Sequence, residues 1–489
     1  MAQPTLVFNY DISCPFAYIA STRVKALADR TNAKLIYRPV LLGAIYRATA
    51  APQGAAGSAS DVFNPTKKSV TAQSMQRTLK RYKIKYSPPP EHPRKSVNAL
   101  RLLYCVPDGD ERRLLTERLF AAYWANKEDV TNTEVLLSIA KETGIPSASA
   151  LSEESFASAE ARKELERATA EAIERGAFGV PGFWIPEARW TDVSGDTNTG
   201  RFFWGQDRMH FVEATLLSLR NNGQWKDVPG LATLMPRCIA HNQSQLSRKV
   251  RLEFWYDFSS PWAFLGYTQL PRLQRAFGAN LEIVMKPFLL GILFREIGAP
   301  NMPMLAISPT KAAWSRQDHA DWTAYWNAVN ASQGSKDKEI AFHWADVFPI
   351  RTPTVLRVAI VEPSTVPLLY SACWEQNANV SDESVLVDEL DKAGYNGTDL
   401  VTRANDPAIK NKLRVNTAAA KAAGICGVPT YRVLHQDGNS GWQTCGSLVW
   451  GQDETNVVED LIAGWDPNSS SQLAEPQKAK SGAKGASRL

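Results

Sequence analysis

The chain has 489 residues, 44% hydrophobic and 21% charged, the make-up of a globular protein long enough for two or more domains with stable cores. A net charge of +5 over this length is too weak to argue for nucleic acid, and no apolar run reaches the roughly 18 residues of a membrane span. The start, MAQPTLVFNYD, lacks the basic and then apolar pattern of a secretory signal, the six cysteines form no CxxC pair, and no His/Cys/Asp cluster has metal-ligand spacing, so reduced thiols and no metal centre are expected.

In chain order, the first predicted element is a strand from Leu6 to Tyr10, which runs through YDISCPFAY (Tyr10 to Tyr18) into a helix. Pro15 suits a first helical turn, where a missing N–H costs nothing. The free N–H groups and positive dipole end of that turn favour a negative atom, so a thiolate is stabilised there and Cys14 is expected to have a lowered pKa. A dithiol enzyme would carry its second Cys three residues on, where this chain has Ala17. The alternative is that Cys14 only caps the helix.

A second strand follows from Lys34 to Pro39, then a long stretch of helical periodicity that includes RRLLTERLFAAYWANKE. Gly179-Val180-Pro181 comes next, just before a short strand, and is a candidate cis-prolyl turn. Trp204-Gly205-Gln206-Asp207 then opens the last helix of the unit, where Gln, Asp and free N–H groups can hold a charged ligand end or simply cap the helix.

The pattern then repeats at an offset of about 246 to 248 residues. VFNYDISCPFAY at Val7 returns as EFWYDFSSPWAF at Glu253, and RPVLLGAIYR at Arg38 as KPFLLGILFR at Lys286. AAPQ at Ala50 returns as GAPN at Gly298, FGVPGFWI at Phe178 as CGVPTYRV at Cys426, and FFWGQDRMHFVE at Phe202 as LVWGQDETNVVE at Leu448. The chain is therefore an internal duplication: a first unit at about 1–225, a connector over 226–247 and a second unit at about 248–465. Each unit reads as α/β, a small sheet interrupted by a helical insertion, at about 60–175 and about 303–423. From 466 to 489 the residues are small, polar and basic; this predicts a disordered tail, and its ending, Ser487-Arg488-Leu489, is similar to the SKL-type signal for the peroxisomal import receptor. Peroxisomal localisation is expected, the alternative being a cytoplasmic protein with a chance ending.

The order of strand, Tyr-Asp-x-x-Ser-Pro, Arg/Lys-Pro-x-Leu-Leu-Gly, helical insertion, Gly-Val-Pro and Gly-x-Asp-Arg resembles kappa-class glutathione transferases. It equally resembles the 2-hydroxychromene-2-carboxylate isomerases, within the DsbA-like thioredoxin superfamily. The likeness covers both units. It implies two tandem thioredoxin-like domains, each with an inserted helical subdomain, and glutathione as cofactor. The family's catalytic Ser falls on Ser260 and, as a departure, on Cys14; its glutathione-binding Asn falls on Asn301, with Gln53 in the first unit. The residue before the cis-Pro falls on Val180 and Val428, beside Pro181 and Pro429. The Ser-Asp pair for the glutamyl end falls on Gln206-Asp207 and Gln452-Asp453, with the Asp kept and the Ser replaced.

On this reading the sulfur comes from glutathione, and Ser260 stabilises its thiolate. The expected activity is transfer or isomerisation of a small, aromatic electrophile; the alternatives are a monothiol oxidoreductase working through Cys14, or a thioredoxin-fold scaffold enzyme that does not use glutathione. Trp314, Trp322, Tyr325, Trp326, Phe342 and Trp344 are read as either pocket lining or core, with Ser308, Arg316, His319 and His343 as polar candidates nearby. Kappa enzymes are dimers of one unit, so a monomer with an internal pseudo-dimer is expected, with the second site the working one.

Overall fold

The computed structural model describes residues 3–53, 62–220, 223–239, 246–438 and 441–467. The predicted tail and its Ser487-Arg488-Leu489 ending lie outside the described residues.

Two four-stranded sheets carry the fold. In the first unit the strands are β1 (Thr5–Tyr10), β2 (Lys34–Pro39), β3 (Gly182–Thr191) and β4 (Thr197–Trp204), in the order β2-β1-β3-β4. In the second they are β5 (Val250–Tyr256), β6 (Leu281–Pro287), β7 (Thr430–Gln436) and β8 (Trp442–Trp450), in the order β6-β5-β7-β8. The inner strand of each pairs parallel to one neighbour (Tyr10 beside Pro39, Tyr256 beside Pro287) and antiparallel to the other (Val7 beside Trp184, Phe254 beside Tyr431). A parallel pair needs a crossover, which the helix Pro15–Thr31 supplies in the first unit and the helices Pro261–Thr268 and Leu270–Phe277 supply in the second. TLVFNY and VRLEFWY are buried along nearly their whole length because both faces of an inner strand are covered.

The helices between the second and third strand of each unit tie themselves to the strand-to-helix turn by equivalent bonds. Trp124 Nε1 donates to the Ile12 carbonyl and Trp374 Nε1 to the Phe258 carbonyl, both at 2.8 Å. Thr169 Oγ1 accepts from Leu41 N and Thr417 Oγ1 from Leu289 N, both at 3.0 Å. These residues expose a repeated block that sequence reading passed over, AYWANKEDVTN against ACWEQNANVSD.

The two units meet along a seam in which the first inserted helix of each lies against the other unit. Helix Pro65–Arg81 brings Arg77 to Glu454 (2.7 Å) and Arg81 to Asp460 (2.7 Å) of the second unit. Its counterpart, helix Pro309–Ser332, brings Asp318 to Arg208 through two bonds of 2.8 and 2.9 Å, and Asp321 to Arg201. The helix is therefore basic in one half of the seam and acidic in the other. Asp460 also accepts from the backbone N–H of Cys238 and Ile239, which pins the connector.

Part of the aromatic run in the second insertion belongs to this seam. Trp322, Tyr325 and Trp326 are buried; Tyr325 Oη donates to the Leu231 carbonyl (3.0 Å) and Trp326 Nε1 to Gln452 Oε1 (3.0 Å). Trp322 and Tyr325 pack on His210 and Phe211 of the first unit, and Trp326 packs behind them inside the second, which removes all three from the pocket-lining candidates. Among the described residues no helix is long and apolar enough to cross a membrane, and no group of three His, Cys, Asp or Glu could hold a metal ion.

Candidate functional site

Each unit builds one strand-to-helix turn facing one cis-prolyl turn. Asp11 and Asp257, buried at the ends of β1 and β5, organise the turns. Asp11 accepts from Ser13 N and Leu42 N (2.9 Å each), and Asp257 from Ser259 N (3.0 Å), Leu290 N (2.9 Å) and Thr352 Oγ1 (2.7 Å). Burial pushes both carboxyls up, opposed by those bonds. Sequence reading missed their role, although the repeated Tyr-Asp pair was the signal for it.

Val180–Pro181 and Val428–Pro429 are both cis, as the Gly-Val-Pro motif predicts. The glycine has a packing reason. A Cβ on Gly179 would come within 2.9 Å of Trp204 Nε1, and one on Gly427 within 2.8 Å of Trp450 Nε1, so each Trp-Gly-Gln-Asp motif lies flat against its own prolyl turn. Gly205 and Gly451, both at φ +100°, close the contact by donating to the Pro181 and Pro429 carbonyls at 3.0 and 2.9 Å.

The two sulfur-turn residues have diverged in what they touch. Cys14, 5% exposed, donates its S–H to the Val180 carbonyl at 3.2 Å. Burial pushes its pKa up to about 12, with the backbone N–H groups of Ala17 and Phe16 opposing and the Asp11 charge adding to the rise. The expectation of a lowered pKa is therefore corrected: desolvation outweighs the helix N-terminus. Ser260, 7% exposed, instead caps its helix, its Oγ accepting from Ala263 N at 3.2 Å. An oxygen used as acceptor leaves the hydroxyl hydrogen to donate, and no described residue receives it.

The roofs differ as well. Tyr86 stacks on Trp124 (5.6 Å) over the first turn, where the second has Phe342 on Trp374 (5.7 Å), and Tyr46 of the first unit is replaced by Phe294. His319 reaches the second turn only: its Nε2 lies 3.2 Å from the Pro261 carbonyl and its ring packs against Trp262 and Phe342. Burial pulls its pKa down to about 3, so it is neutral there. Ser308 caps the helix Pro309–Ser332, Arg316 lies 5.8 Å over Trp344, and His343 is exposed.

The remaining candidates separate into two groups. Gln53 is half-buried and Asn301 exposed, each a few residues past the helix that follows the second strand of its unit. Gln206 and Gln452 are engaged inside the protein, by Arg23 and Trp326. Asp207 and Asp453 both reach the Arg208 guanidinium, at 2.8 and 3.0 Å, so the seam brings together the two carboxylates expected at separate ligand ends. Burial holds the Asp453 carboxyl above its ordinary range, against the pull of Arg208. An open cleft of about 550 Å³ lies on the seam between Pro65–Gln73 and Thr444–Leu448, away from both sulfur turns.

The human glutathione S-transferase kappa 1 is 24% identical over 224 residues, 43% of this chain and 90% of the transferase. The 2-hydroxychromene-2-carboxylate isomerase of Sphingobium xenophagum is 26% identical over 218 residues, 44% of this chain and 98% of the isomerase. Among solved structures, a 2-hydroxychromene-2-carboxylate isomerase is 20% identical with a TM-score of 0.35, covering 45% of this chain and 97% of that one. The model of the DSBA-like thioredoxin domain matches twice, over residues 5–217 and 251–463, and the chain belongs to that family, with two copies in tandem.

Proposed function

We propose that the protein is a glutathione-dependent transferase or isomerase acting on a small aromatic electrophile, with its working site at Ser260. The relatives support an enzyme of this kind, since two are a kappa transferase and an isomerase. The observation that carries the choice of site is the Ser260 hydroxyl. Its oxygen accepts from Ala263 N–H, which leaves its hydrogen free to donate to a ligand at a helix N-terminus, where a negative sulfur is favoured.

The residues present fit such a ligand. The Val428 backbone offers a strand-like edge beside the cis-prolyl turn, and no described side chain occupies its carbonyl as Cys14 occupies that of Val180. Bound glutathione supplies a sulfur nucleophile that either stays on the product, a transfer, or leaves again, an isomerisation. Ser260 holds that sulfur as its anion, while Phe342, Trp344 and Trp262 give an aromatic electrophile a face to pack on. Thiol–disulfide exchange through Cys14 is disfavoured by its raised pKa, its engaged S–H and Ala17 in the resolving position. The same reading makes the chain a monomer whose units pair internally, and takes Ser487-Arg488-Leu489 as a peroxisomal address.

Calorimetric titration of glutathione tests it. Saturable binding is expected in the wild type and in Cys14→Ser, weakened about tenfold or more in Ser260→Ala, the loss of one hydrogen bond to a charged group being on the order of 1.5–3 kcal/mol. Absence of binding in the wild type overturns the proposal.

A further inference from the structure

Two lysines on the seam stand apart from its other cations. Arg77, Arg81, Arg201, Arg208 and Arg237 each pair with a carboxylate across or along the seam. Lys67 and Lys311 pair with none among the described residues. They occupy equivalent places, the third residue of helices Pro65–Arg81 and Pro309–Ser332, in the repeated triplet Pro-Thr-Lys. Each amine reaches over to the other unit. Lys67 Nζ lies 5.5 Å from the centre of the Trp450 ring and 4.4 Å from that of its own unit's Phe63. Lys311 Nζ lies 4.9 Å from the Trp204 ring and 6.0 Å from that of Phe178.

Trp204 and Trp450 are the rings that pack against the glycines of the two cis-prolyl turns, so each lysine lies over the ring that backs the opposite unit's prolyl turn. An indole face stabilises a cation less than a carboxylate does at a desolvated site. The position is costly: burial, with the neighbouring Lys67 adding to it, pulls the Lys311 ammonium down to about 8. Two half-buried like charges without counter-ions leave an unmet demand for an anion.

We infer that Lys67 and Lys311 form a carboxylate-binding pair on the seam, each completing the sulfur site of the opposite unit. The chemistry is that of a small organic carboxylate, supplied by glutathione or by a free acid. The choice of glutathione rests on the function proposed above; the anion site does not.

The test uses the full chain, with succinate and glutathione as separate probes, followed by calorimetry and thermal unfolding at constant ionic strength. Succinate is expected to bind the wild type and raise its unfolding midpoint. Lys67→Met and Lys311→Met, which keep the stem over the indole, should each weaken succinate and glutathione binding about tenfold or more. Ligand-free Lys311→Met should unfold no earlier than the wild type, because it removes an uncompensated charge, and Lys311→Arg should restore binding. Ser260→Ala should bind succinate as the wild type does. Succinate binding without glutathione binding would keep the anion site and remove the glutathione reading. Glutathione binding unchanged in both Met variants would remove the anion site and keep the glutathione reading, and failure of succinate to bind the wild type would also overturn the pair.

Discussion

Replacing Asp460 by Ala is expected to destabilise the protein by about 3–5 kcal/mol, the cost of stranding a buried partner charge. Asp460 is 0% exposed and Arg81, its partner at 2.7 Å, is 4% exposed. The carboxylate also takes the N–H groups of Cys238 and Ile239 and lies 3.3 Å from Arg237 Nε, so one side chain joins the second unit's last helix, the first unit's inserted helix and the connector. Alanine leaves two cations and two backbone donors without it. Arg81→Met together with Asp460→Ala should cost less than Asp460→Ala alone, because the stranded guanidinium goes too. The urea midpoint measures both; an Asp460→Ala midpoint equal to that of the wild type would contradict this account of the seam.

Arg208→Met should also be costly, and in a pH-dependent way. The guanidinium is shared by Asp318, Asp207 and Asp453, and its loss leaves three carboxylates facing one another. Burial already raises the Asp318 and Asp453 pKa values, and Arg208 is the main group opposing that rise. Without it the folded state holds protons still more tightly than the unfolded state. Stability is then retained below the raised folded values and lost as pH rises through them, so the deficit against the wild type, about 3–5 kcal/mol near pH 7.5, should shrink toward about pH 5.5. Urea midpoints at the two pH values decide it, and a deficit that is constant or grows toward acid would contradict the assignment.

The sheets, the cis-prolyl turns and the two sulfur turns were legible in the sequence because they recur. Identity between copies picks out what both units need in common: Asp11 and Asp257, the Gly-Val-Pro turns, the Trp-Gly-Gln-Asp edges. The seam escaped for the same reason. Its residues occupy equivalent positions that differ: Arg77 against Asp321, Ser74 against Asp318, Arg201 against Ser447, Arg208 against Glu454. A first unit set on another first unit would bring Arg77 to Arg201, and a second on a second would bring Asp318 to Glu454. Charge inversion of this kind favours one unit pairing with the other within the chain, and it hides from a search for likeness.

The sequence misleads on the Cys14 pKa because a helix N-terminus can be read locally, whereas the burial that overrides it is a tertiary effect, with Tyr86, past the end of helix Pro65–Arg81, and Trp124, in helix Ala122–Asn126, stacked over the turn. The aromatic run Trp322–Trp326 was ambiguous because a seam and a pocket ask for the same residues. The contacts of Trp322 and Tyr325 with His210 and Phe211 of the first unit, and the bond from Tyr325 to Leu231 of the connector, separate the two uses.

The central claim, that Ser260 holds a ligand thiolate, is tested most directly by the ultraviolet absorbance of the glutathione thiolate in the complex, followed as a function of pH. A free thiol of this type ionises near about 8.5, and the Ser260 hydrogen bond together with the helix N-terminus should move the bound value down by about one unit or more. The predicted result is a thiolate signal that appears below the pKa of free glutathione in the wild type and in Cys14→Ser, and moves back toward the free value in Ser260→Ala. A bound thiol that ionises no earlier than free glutathione, or one unaffected by Ser260→Ala, would contradict the claim.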